Sequence, residues 1–235
     1  VKRFWQRAAA APHGDAWRIT LDGKPMRLPG SGELLLPRHA LAAAIADEWQ
    51  HAGQRKNGDI AMDDLRLTQL AATAQLRIAP APQATAAAIA KYGETDCLCY
   101  RVEHPPELAA QQNQVWQPWL DWAAATIGAR LVVTTGIAAV AQPSAALRAL
   151  ADAVNACDAW HLAGLGVLVP AYGSVVLGLA VAAGALGAEA ALRLALLEEL
   201  HEEALWGADD LAVARRARLA REVASAAGFM RLAEG

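Results

Sequence analysis

The chain has 235 residues, 55% of them apolar, and a formal charge of −3. That length suffices for one large domain or two small ones with a substantial core. The mildly acidic balance, without a long block of like charge, excludes a nucleic-acid-binding tail. Three cysteines at uneven spacing make no disulfide framework and fit a reducing compartment.

No basic-then-apolar leader opens the chain, so secretion is not indicated, although the absence of an initial Met leaves room for a removed leader. The first forty residues read as β. Trp17, Ile19 and Leu21 alternate with polar positions, as a half-buried strand requires. Asp22-Gly23 is a hairpin turn, because both residues tolerate positive φ. Pro25 keeps the return strand at an edge. Pro29 and Gly30 break it, and residues 33–36 offer another short strand. Pro37 opens a helix to Gln50 with Leu41, Ile45 and Trp49 four apart, and Gly53 ends it.

Lys56-Asn57-Gly58 reads as a linker, so residues 1–60 are expected to form a small β-rich domain with one helix and residues 61–235 an all-helical domain. The fold class is thus α+β. Helices are predicted over 65–78, 83–92 and 106–128, the last kinked at Pro118. A β-like interlude covers 131–134. Ser144 is expected to cap a helix to Cys157, and Asp158 to cap the next. Two more helices are predicted at 189–205 and 209–227. From Leu162 to Ala188 there is no charged residue, a length that could span a bilayer. Pro170, Tyr172, Gly173 and Ser174 interrupt it, however, and no Lys or Arg cluster flanks it. A buried, broken helix is the better reading.

The stretch Glu94-Thr95-Asp96-Cys97-Leu98-Cys99-Tyr100-Arg101 holds two of the cysteines. A C-x-C pair matches neither zinc spacing nor a C-x-x-C redox site. It reads as a joint in which one helix ends near Tyr92-Gly93 and Thr95 or Asp96 caps the next turn. Two E-x-x-H pairs, Glu48–His51 and Glu198–His201, raise a helical carboxylate metal enzyme as one alternative, but they fall in different predicted domains. A membrane-anchored assembly factor using 162–188 is a second. No P-loop, dinucleotide fingerprint or nucleophile elbow is present. Glu198, Glu199, Glu202 and Glu203 form like-charged i,i+4 pairs, which destabilise a helix by a few tenths of a kcal/mol each. Either Arg215, Arg216, Arg218 and Arg221 pair back with them, or the stripe stays open to a basic partner.

These motifs together resemble the F1-ATP synthase assembly chaperones that receive the alpha subunit. Residues 95–101 are similar to that family's T-D-x-x-C-Y-R signature. Residues 21–29 (LDGKPMRLP), 41–49, 67–74, 116–122 and 197–207 (LEELHEEALWG) resemble further family segments, in the same order. The resemblance implies a small β-containing N-terminal domain followed by a multihelical one. It also implies no membrane insertion, no catalytic chemistry, and no cofactor or metal. The partner it implies is the F1 alpha subunit, in the bacterial cytoplasm, or in the mitochondrial matrix for a eukaryotic chain whose leader has been removed. The family's functional acid falls on Glu198, with Glu202 (Gln in the family pattern) and Trp206 beside it as partner-binding residues. Thr95, Asp96, Cys99, Tyr100 and Arg101 form the structural signature. Cys97 stands where the family is usually apolar, and Leu65-Arg66-Leu67-Thr68 departs from its M-P-L-T.

Overall fold

The computed structural model describes residues 2–28, 32–54, 58–136 and 139–234. Strands β1 (Ala8–His13) and β2 (Ala16–Leu21) pair antiparallel, with Ala8 opposite Leu21 and His13 opposite Ala16. Asp22 (φ 49°) and Gly23 (φ 78°) make the expected tight turn. They return the chain as β3 (Lys24–Pro25), which stays at the sheet edge. A second small ladder joins β4 (Arg27–Leu28) to β5 (Gly32–Glu33), and β6 (Leu35–Leu36) adds to β2. The predicted break at Pro29 and Gly30 lies outside the described residues, as do Lys56 and Asn57 of the predicted linker.

Helix α1 (His39–His51) lies on this sheet, with Leu41, Ala42, Ile45 and Ala46 buried. It begins two residues after Pro37, with Arg38 at its N-cap. Near its end the Glu48 carboxylate accepts from Leu67 N (2.6 Å), Thr68 N (2.9 Å) and Thr68 Oγ1 (3.0 Å). It thereby satisfies free amides at the start of α2 (Arg66–Thr73). Burial pushes the Glu48 carboxyl upward.

After α2 a wide helical turn continues over Ala74–Ile78, and α3 (Pro82–Ala90) follows with Pro at its first position. A two-residue strand, β7 (Tyr100–Arg101), precedes α4 (Pro106–Trp122), whose helix runs through Pro118. A wide turn extends α4 to Ile127, and Gly128 (φ 81°) ends it. The β-like interlude sits slightly later than expected: β8 (Thr134–Thr135) pairs parallel with β7.

In α5 (Ser144–Asn155), Pro143 takes the N-cap position. Ser144 is already helical, and its side chain caps nothing, contrary to expectation. Asp158 does cap α6 (Ala159–Tyr172), accepting from His161 N at 2.8 Å. Gly173 (φ 62°) then breaks the apolar run, and Ser174 caps α7 (Val175–Ala182). Pro170 lies inside α6, so the break belongs to Gly173 and not to the proline. Among the described residues no helix is long and apolar enough to cross a membrane.

The helix predicted over 189–205 is two helices, α8 (Ala188–Ala195) and α9 (Leu197–Trp206), divided at Leu196. Helix α10 (Asp210–Glu234) runs past its predicted end, because its final turns are held by burial of Val223, Ala226, Phe229, Met230 and Ala233. It packs along α6 at Gly164, where a Cβ would clash with the Met230 side chain.

Candidate functional site

Asp96 organises the joint between α3 and α4. Its carboxylate, fully buried, accepts from Leu98 N (3.1 Å), Ser174 Oγ (2.9 Å) and Val176 N (3.1 Å). One side chain therefore caps the turn Cys97–Cys99 and, together with Ser174, the start of α7. Burial pushes its carboxyl up to about 6. Of the two capping candidates, Asp96 does this work, while Thr95 is exposed. The Cys97 amide donates to Gly173 O (2.9 Å) and its thiol to Tyr172 O (3.3 Å), tying the joint to the break between α6 and α7. Burial pushes the Cys99 thiol up to about 12 and raises Cys97 as well. Metal binding and nucleophilic attack both need a thiolate, and these environments oppose one.

Tyr100 and Arg101 lead from the joint into β7. The Arg101 guanidinium is buried 5.1 Å from the Trp116 ring centre, and its Nη1 donates to the backbone oxygen of Gln112. Burial lowers its pKa. Its Nε and Nη2 make no hydrogen bond among the described residues. Gln112, fully buried in α4, accepts from Val102 N through Oε1 (2.8 Å) and donates from Nε2 to Glu198 Oε1 (2.7 Å). One turn on, the Trp116 indole donates to Leu194 O (2.9 Å), fastening α4 to the end of α8. The signature thus reaches Glu198 through a single residue, Gln112, which the motif reading missed. A signal for it exists: Leu108, Gln112, Trp116 and Leu120 recur every four residues on the buried face of α4, and Gln112 is the polar member of that stripe.

The acids of α9 divide by face. Glu199 pairs with Arg215 and Arg216, and Glu203 pairs with Arg216. Burial alone would raise the Glu199 carboxyl, but hydrogen bonds from Arg216 and Arg215 outweigh it and hold the carboxyl low. Glu198 and Glu202 lie on the neighbouring face, exposed, and neither makes an ion pair among the described residues. Arg218 faces Glu222 at 4.0 Å instead. The arginines therefore pair back with one face of the stripe and leave the other exposed. Beyond it, Leu205 is 62% exposed, Trp206 86% and Leu211 80%.

Among the described residues no three of His, Cys, Asp and Glu converge to hold a metal. The two E-x-x-H pairs serve other ends. Glu48 caps α2, while His51 Nδ1 lies 3.2 Å from Asp47. Glu198 is bound to Gln112.

Comparison with known proteins gives these features a context. A family described as ATP12 chaperone protein matches residues 2–124. The crystal structure of Atp12 from Paracoccus denitrificans is 35% identical with a TM-score of 0.91, over 99% of this chain and 98% of that one. A variant of the P. denitrificans protein, with an aspartate replaced by lysine, matches equally well over 97% of its length. A protein from Agrobacterium tumefaciens, described as a candidate chaperone, is 33% identical with a TM-score of 0.91, over 98% of this chain and 85% of that one. Helix α9 lies beyond the family match but inside all three structural ones.

Proposed function

The chain belongs to the ATP12 family of chaperones, which serve ATP synthase assembly, and from that premise we propose that it holds the free alpha subunit of F1-ATP synthase until the beta subunit replaces it. An unassembled subunit exposes apolar interface that drives aggregation. A chaperone without a nucleotide site works by mass action, covering that interface and yielding to a partner that binds more tightly. No bond is made or broken, and the work is done in the bacterial cytoplasm.

One observation carries the reading: Glu198 and Glu202 remain exposed on α9 and make no ion pair among the described residues, close to the bare Trp206. Gln112 fixes Glu198 with a neutral amide, so its position is set while its charge stays available. Exposed carboxylates of this kind steer a basic partner and set its register, and an exposed Trp is the residue type most enriched among dominant interface contacts. Glu198, Glu202 and Trp206 are thus the client-facing residues.

The test is capture of purified alpha subunit, read as co-purification and as suppression of its aggregation. Glu198→Lys is expected to weaken capture at least about tenfold, since reversing one well-placed interface charge costs on the order of 1.4 kcal/mol or more. Unchanged capture removes Glu198 from the mechanism. Stoichiometric iron, manganese or zinc in the purified protein would instead favour chemistry at the E-x-x-H pairs.

A further inference from the structure

Helix α9 presents a third face, distinct from the two that carry its acids. Leu197, Leu200, His201 and Ala204 recur at helical spacing and line a groove of about 630 Å³ against α4 and α8. Val115 and Trp119 of α4, Leu186, and Ala190 and Leu194 of α8 supply the rest of its apolar wall, and all five side chains are only half-buried. Apart from Leu197, which is buried, the apolar lining therefore remains accessible instead of closing into core. The His201 ring lines the groove beside these apolar side chains, while its Nε2 is buried and makes no hydrogen bond among the described residues.

Charge limits what can lie in this groove. Glu198 and Glu202 stand one residue round α9 from the lining positions, exposed and without an ion pair among the described residues. Arg193, on the α8 side, is exposed and makes no ion pair among the described residues. We propose that the groove receives an amphipathic segment of the client, with its apolar side chains in the groove, Lys or Arg directed at Glu198 and Glu202, and an acid directed at Arg193. This rests on the chaperone reading and adds to it. The acids position the client, and the groove supplies the apolar burial that holds it.

The experiment fills the groove from two sides. Ala204→Trp acts from α9, where Ala204 is exposed, and Ala190→Trp acts from α8. Ala84→Trp, exposed on α3, is the control. Circular-dichroism melting confirms that each variant folds. Both groove variants are expected to lower affinity for the alpha subunit at least about tenfold, with the control unchanged. If both bind within about twofold of wild type while Glu198→Lys does not, the groove proposal falls and the function stands. If wild type itself fails to retain the alpha subunit, the function falls and the groove with it. If wild type self-associates and Ala204→Trp abolishes that instead, the occupant is a second copy and the proposal is overturned.

Discussion

Helices α7 and α9 are of similar length but differ in composition, VVLGLAVA against LEELHEEALW, and they sit at opposite extremes of burial. Every residue of α7 from Val175 to Val181 is buried. In α9 only Leu197 is. Helix α7 is stabilised by removing apolar surface from water, about 25 cal/mol for each Å². Helix α9 and the adjoining turns of α10 are instead linked by Glu199 and Glu203 to Arg215 and Arg216, and exposed ion pairs contribute little each. The protein leaves Leu205, Trp206 and Leu211 in water while burying Val175 to Val181, and on the proposed function the exposed set is the part of its apolar surface that meets the client.

That contrast can be broken most forcefully in α7. Leu177 is fully buried, and Leu177→Ala is expected to cost about 2–5 kcal/mol in chemical denaturation. A loss below about 1 kcal/mol would mean that α7 is not the packed element described here.

Asp96→Asn sharpens the comparison at the joint that caps α7. Asparagine keeps one acceptor oxygen and presents an amide to N–H donors, so a loss of about 1–3 kcal/mol is expected. The pH dependence has a definite sign. Burial raises the folded carboxyl from 3.8 to about 6, so the folded state binds this proton more tightly than the unfolded one. The resulting stabilisation is complete below pH 3.8 and is lost as pH rises through about 6. Melting curves of both proteins should therefore show a larger advantage for wild type at mildly acidic pH than at neutral pH. An advantage that grows towards neutral pH would contradict this.

The smallest stability effect belongs to the exposed apolar residues Trp206 and Leu211. Trp206→Ala combined with Leu211→Ala should change unfolding free energy by no more than about 0.5 kcal/mol, yet weaken capture of the alpha subunit. A double variant that unfolds easily but captures normally would reverse the assignment of these side chains.

How much of this is legible in the sequence differs from element to element. Asp22-Gly23 and the Asp158 cap are local chemistry, and the residues alone suffice. The Asp96 cap is only half local: its grip on Leu98 is near in sequence, whereas Ser174 and Val176 come from elsewhere in the chain. Strand β1 is an alanine run whose propensity favours helix; it is extended because β2 pairs with it along its whole length. Ser144 looks like a cap by residue type, but Pro143 already supplies the turn into α5. The division at Leu196 has no Gly or Pro to mark it, and Gly228 lies within α10 without ending it. At the candidate site, the acids of α9 are visible as residue types. Which of them remain free depends on where Arg215 and Arg216 reach, and that is a tertiary fact.

The bond between Asp96 and Ser174 also bears on how the chain is made. Synthesis proceeds from the N-terminus, so Asp96 leaves the ribosome 78 residues ahead of Ser174. The acceptor is already waiting when the most apolar stretch of the nascent polypeptide emerges. Once Ser174 and Val176 dock on it, that stretch is bent into two rods. The longer has 14 residues, or about 21 Å, well short of the ~30 Å of a bilayer interior. A passage that in extended form resembles cargo for the membrane insertion machinery is thus committed to the interior of its own fold by a carboxylate translated before it.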